Sequence, residues 1–163
     1  MQRTSAPDTI VVRRHLALGW SMLALFMLLG LTLEALHAFK LGWYLDLAHE
    51  TRRLMLRLAH AHGALLGLVQ IGFALSWRHR RPAGPALERA ASIALAAGSL
   101  LLPAGFFFGG LVVDGGDPNP AIVLSPVGAL CVVGATAFLA WRLVLGPGAE
   151  AGGDDGASGQ PRT

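Results

Sequence analysis

Cysteine is almost missing from this sequence. Cys131 is the single example, so no internal disulfide can form. Lysine is equally scarce: Lys40 is the one lysine among 13 basic residues. Arginine, alanine, glycine and leucine dominate instead, a usage that matches a high-GC bacterial genome. Charge of both signs is low, at 14% of residues against roughly 25% in an ordinary soluble domain. No glycine-rich phosphate loop follows a strand, and no nucleophile elbow is present, so neither phosphate cradling nor serine hydrolysis has a motif to rest on. No internal repeat is evident.

What is abundant is apolar surface. The chain has 163 residues, enough for one domain, and 53% of them are hydrophobic. Mean hydropathy is +0.53. A soluble fold of this size could not bury so much apolar area, so the bilayer is the expected solvent. A net charge of +3 would suggest nucleic acid in a soluble protein. Here the arginines cluster at the ends of apolar runs, which points to lipid headgroups and topology, with no nucleic-acid partner.

Four runs are long enough to cross a bilayer. They cover about 16–39, 54–77, 90–113 and 121–145. Each has roughly 24 residues, sufficient for about 30 Å of hydrocarbon. Residues 1–15 read as a polar lead, disordered or interfacial. Arg13-Arg14 before an apolar run resembles the start of a secretory signal. The run is too long for a signal core, however, and Ala35–Ala38 offers no small-x-small cleavage site, so an uncleaved helix is expected. Residues 40–53 read as an interfacial segment, with Trp43 and Tyr44 at headgroup level. Gly146-Pro147-Gly148 ends the last run, and the tail at 146–163 is expected to be disordered. The expected fold is therefore all-α: an integral membrane four-helix bundle, up-down-up-down.

Orientation follows from the basic residues. With the N-terminus inside, nine lie inside and four (Lys40, Arg52, Arg53, Arg57) outside. That imbalance favours both termini in the cytoplasm of a bacterial inner membrane. Trp20, Trp77 and Trp141 then fall at the inner interface and Trp43 at the outer one.

The chemistry-bearing stretch is Leu58 to Gly67, Leu-Ala-His-Ala-His-Gly-Ala-Leu-Leu-Gly. Histidine is costly in hydrocarbon, so two in one span ask for a reason. At 100° per residue His60 shares a small, polar face with Gly63, Gly67 and Gln70, and His62 lies about 200° away on a bulky face. One straight helix cannot aim both at one ion. Ala59, Gly63 and Gly67 have the spacing that lets another helix approach closely. The first span carries Glu34 and His37 on one face, with Gly30 on the same side. Glu34 lies about 8 Å and His60 about 10 Å below the outer surface, so Glu34, His37 and His60 can meet in the outer half of the membrane. Asp114, Asp117 and Asn119 lie above them, and His49 lies near the mouth. His15 is assigned to the N-terminal flank.

Four readings fit the cluster. A metal site would use His60, His37 and Glu34, since imidazole with carboxylate suits zinc, copper or iron. A b-type haem would use His60 with His62 or His37 as cofactor-binding residues. A protonatable or quinone-level site would titrate Glu34 with His60. A structural Glu–His hydrogen bond joining the first two spans would be worth about 0.6 kcal/mol. In the third span Phe106, Phe107 and Phe108 could wall a pocket, and Pro103 should kink the helix. Ser125-Pro126 should kink the fourth, with the serine hydroxyl taking up a carbonyl. Gly63, Gly67, Gly105 and Gly109 could instead pack against a membrane protein partner or a second copy, in a non-catalytic subunit.

His60-Ala61-His62-Gly63-Ala64-Leu65-Leu66-Gly67 resembles the His-Ala-His-x-x-Leu-Leu-Gly helices of small uncharacterised bacterial membrane proteins. It is also similar to histidine-bearing helices of haem–copper-oxidase-type and NnrS-type proteins. The resemblance covers about ten residues of one helix and implies that His60 or His62 faces a haem or a metal. Those oxidases spread their metal histidines over many more spans than four.

Overall fold

The computed structural model describes residues 6–45, 50–80, 82–114 and 116–144. His49, residues 1–5 of the polar lead and the tail at 146–163 lie outside the described residues. Among the described residues five α-helices follow one another: α1 Ala6–Ala38, α2 Gly42–Leu45, α3 Glu50–Ser76, α4 Pro85–Leu111 and α5 Leu124–Val144. The four long ones are each apolar enough to cross a membrane. One 3-10 turn, Trp77–His79, extends α3, and another, Pro120–Val123, leads into α5. The chain runs up-down-up-down, so the first and last helices have their outer ends on one side, the terminal end. The opposite side is the distal end.

The helices are ordered α1, α3, α4, α5, each packed mainly on the next. The inner pair, α3 and α4, is the more buried, and α1 and α5 flank it. Leu25, Leu28, Leu130 and Val133 are among the bulky residues that point outward. In water such a surface would be an aggregation hazard; in lipid it is the expected exterior.

Glycines set the helix spacing. A methyl on Gly19 would lie 2.7 Å from the Gly67 carbonyl oxygen, so α1 and α3 approach backbone to backbone. A methyl on Gly128 would lie 2.5 Å from the Leu102 amide nitrogen, and one on Gly98 would lie 2.6 Å from the Gly128 oxygen. The small-residue face of α3 thus receives α1, with Gly63 under the Phe26 ring. Gly105 is covered by Ser125 and Gly109 by Ile122. All four glycines offered above to a partner are occupied within the chain.

Several elements depart from the sequence reading. The first helix begins at Ala6, so the part of the polar lead from that residue on is helical. It closes distally through Lys40, whose φ is 51°, with the Leu41 amide donating to the Leu36 carbonyl at 3.1 Å. That is the six-to-one bond of a Schellman cap, made here without the usual glycine. Tyr44 is buried against Leu33 and Leu56. Trp77 is buried too, its indole N–H donating to Asp8 at 2.9 Å, so it belongs to no aromatic belt. Pro126 lies in the first turn of α5, where its missing N–H costs no helical bond. The Ser125 hydroxyl takes up a carbonyl, but across the bundle, that of Leu102 at 3.0 Å.

Both ends are tied by polar contacts. At the terminal end Arg80 lies 3.1 Å from Asp8 and 2.8 Å from Glu88, with its guanidinium 3.6 Å from the Trp77 ring centre. This joins α1, α3 and α4. At the distal end Val113–Asp114 pairs antiparallel with Asp117–Pro118. Asn119 donates to the Phe108 and Val112 carbonyls and accepts from the Ala121 amide, so its role is to cap.

Candidate site between α1 and α3

His60 and His62 leave α3 in the two directions that helical period requires. The Nδ1–H of His62 donates to the Leu58 carbonyl of its own helix at 2.9 Å, and its ring stacks 5.1 Å from Phe106 of α4. His60 turns to α1, where its Nδ1–H donates to the Phe26 carbonyl at 2.6 Å. Phe26 O is the acceptor that the helix directs toward the residue four positions on, which is Gly30. With no side chain at Gly30, the second lone pair of that carbonyl is open to the imidazole. A methyl on Gly30 would occupy the His60 ring. In the neutral ring this bond selects the tautomer with the proton on Nδ1, which leaves Nε2 as the acceptor.

His60 lines a cavity of about 590 Å³ between α1 and α3. Its walls include Gly30, Glu34, His37, Tyr44 and Arg57. The three residues expected to meet therefore do share one cavity, and His62 does not belong to it. Leu33 and Leu56 pack together, so their chain neighbours Glu34 and Arg57 sit at one level. His60 lies about one turn deeper, level with Gly30, and His37 lies toward the distal rim.

Within this cavity the ionisable groups do not pair with one another. Among the described residues the side chains of Glu34, His37 and Arg57 form no hydrogen bond or ion pair. The Glu34–His60 hydrogen bond expected between the first two spans is replaced by the imidazole–carbonyl bond to Phe26. Nor, among the described residues, does any group of three His, Cys, Asp or Glu side chains gather as metal ligands. Glu34, His37 and His60 are neighbours in a cavity, not a preformed ligand set. Arg57 is the member that sequence reasoning missed. It was counted only among the outer basic residues that set orientation, and its i−3 spacing to His60 was its only signal.

A second cavity of about 590 Å³ lies on the other flank of α1, between α1 and α4. It is apolar, and Phe107 and Phe108 wall it. Phe106, the third of the expected trio, turns instead to His62.

The other polar centre is His15, which is buried and not part of a flank. Gln70 organises it. Its amide NH₂ donates to the Leu95 carbonyl at 3.2 Å and to the Ser99 hydroxyl at 3.0 Å. Its carbonyl oxygen therefore accepts from the His15 Nδ1–H, and His15 Nε2 meets the Ser92 hydroxyl at 2.8 Å. Each polar group of Gln70 has a partner, so this network joins α1, α3 and α4.

No family model, no curated protein and no solved structure matches this chain.

Proposed function

We propose that this protein is a bacterial inner-membrane protein, with both termini cytoplasmic, that holds a small polar ligand in the α1–α3 cavity. The distal end is then the outer half of the membrane. His60 contacts the ligand through Nε2, and Glu34 and Arg57 supply charge at its level. One observation carries this reading: an acid, a guanidinium and two imidazoles line one cavity, and Glu34, His37 and Arg57 have no partner among the described residues. Ionisable groups at membrane depth are expensive unless something compensates them, and a bound polar molecule would.

A second reading has its own support. An imidazole whose Nδ1–H donates to a backbone carbonyl is oriented as metal-ligating histidines are. A haem or transition metal held by His60, with His37 as a second ligand and Glu34 orienting, uses the same Nε2. One sample separates the two. The detergent-purified protein and His60→Ala are compared by absorption spectrum, metal analysis and native mass spectrometry. The first reading expects a bound non-protein mass without a Soret band or stoichiometric metal, lost in His60→Ala. A Soret band or stoichiometric metal lost in the variant supports the second. An empty wild-type protein overturns both.

A further inference from the structure

We infer that the α1–α3 cavity takes a zwitterionic headgroup, with a primary ammonium at Glu34 and an anionic group at Arg57. This rests on the polar-ligand reading above and names its chemical class.

On the distal part of α3, Arg52 donates to the Trp43 carbonyl at 2.9 Å and Arg53 to the Leu45 carbonyl at 3.3 Å. Among the helix acids, Asp8 and Glu88 both meet Arg80, and Glu50 lies 3.8 Å from Arg53. Glu34 and Arg57, both exposed, have no such partner among the described residues. They lie at one level, on facing helices, and line one cavity, yet they form no ion pair with each other. Two opposite charges that line a cavity unpaired are complementary to a molecule carrying both signs.

Donor and acceptor chemistry narrows the class. The Glu34 carboxylate accepts only, and the Arg57 guanidinium donates only. In the neutral ring whose Nδ1–H is engaged with Phe26, His60 Nε2 is a second acceptor. The acceptors thus lie at and below the Glu34 level, where a group with several N–H bonds would be satisfied. A primary ammonium has three donors and fits; a quaternary ammonium has none. Arg57 can clamp a phosphate or carboxylate by two parallel bonds. A single-sign anion would meet Glu34 as a like charge.

That chemistry has two sources, an aminophospholipid of the bilayer or a soluble aminophosphate. The test uses full-length protein in nanodiscs of phosphatidylethanolamine, phosphatidylcholine or phosphatidylglycerol, with retained lipid counted by native mass spectrometry. The wild type is expected to retain phosphatidylethanolamine about ten-fold better than the other two. Glu34→Gln and Arg57→Gln should each remove that preference, and circular dichroism and thermal unfolding should show both variants folded. If free phosphoethanolamine displaces the lipid, or binds alone, the soluble source is supported; if it does neither, the lipid is. Equal retention of all three lipids with no phosphoethanolamine binding overturns the inference, as does a preference unchanged in both variants. Retention of another polar ligand that depends on His60 would overturn this class while leaving the polar-ligand reading standing. A cavity empty in every arm would remove both.

Discussion

At the scale of single residues, the glycines sort by what a methyl group would meet. At Gly128 it would strike the Leu102 amide nitrogen and the Gly98 oxygen, and backbone cannot rotate away. Gly128→Ala should therefore destabilise by about 1–3 kcal/mol in detergent thermal unfolding. Gly72 and Gly134 are helical and face open space. Alanine at either should be neutral or stabilising by up to about 1 kcal/mol. Gly30→Ala has a more specific consequence: it evicts the His60 ring and should abolish any ligand signal that depends on His60. Gln70→Leu would leave the His15 Nδ1–H, the Ser99 hydroxyl and the Leu95 carbonyl short of a partner inside the bundle. That should cost about 1–3 kcal/mol in the same assay. These residues were unequally legible. The divergence of His60 and His62 follows from 100° per residue and needs no coordinates. The Phe26 acceptor does not, because a backbone carbonyl leaves no mark in a sequence.

At the scale of elements, two close pairs, α1 with α3 and α4 with α5, are joined through α3 and α4. Ala59, Gly63 and Gly67 announced the close face of α3 by their spacing, and α1 fills it. The start of α1 was hidden because Arg13-Arg14 resembles an interfacial flank. The helix continues back past them, since His15 and Asp8 point inward to Gln70 and to Trp77 and Arg80. Trp77 and Arg80 were hidden for a related reason: each has an interfacial composition and a buried partner that only the packing reveals. The Asp8–Arg80–Glu88 group should hold α1 to the α3–α4 connection. Arg80→Gln removes the guanidinium that bridges Asp8 and Glu88. It is expected to cost about 1–3 kcal/mol and to speed hydrogen exchange in the first turns of α1.

At the scale of the whole molecule, four apolar helices were readable from length and hydropathy alone. Their order was not, because small residues recur on every helix. The orientation proposed from arginine placement makes a simple prediction. Green fluorescent protein fused after Val144 should fluoresce, and alkaline phosphatase inserted at Gly116 should be active; the reverse pattern would invert the topology. Such an inversion would move the cavity to the cytoplasmic half without changing its lining. What the functional account depends on is smaller: the state of one ring. Nitrogen-15 solid-state NMR of the protein in lipid, with the His60 signals assigned by their loss in His60→Asn, reads that state directly. The account predicts a protonated Nδ1 and an Nε2 that carries a lone pair and shifts when the cavity is filled. A His60 protonated at Nε2, with Nδ1 bare and no response to any ligand, would contradict it.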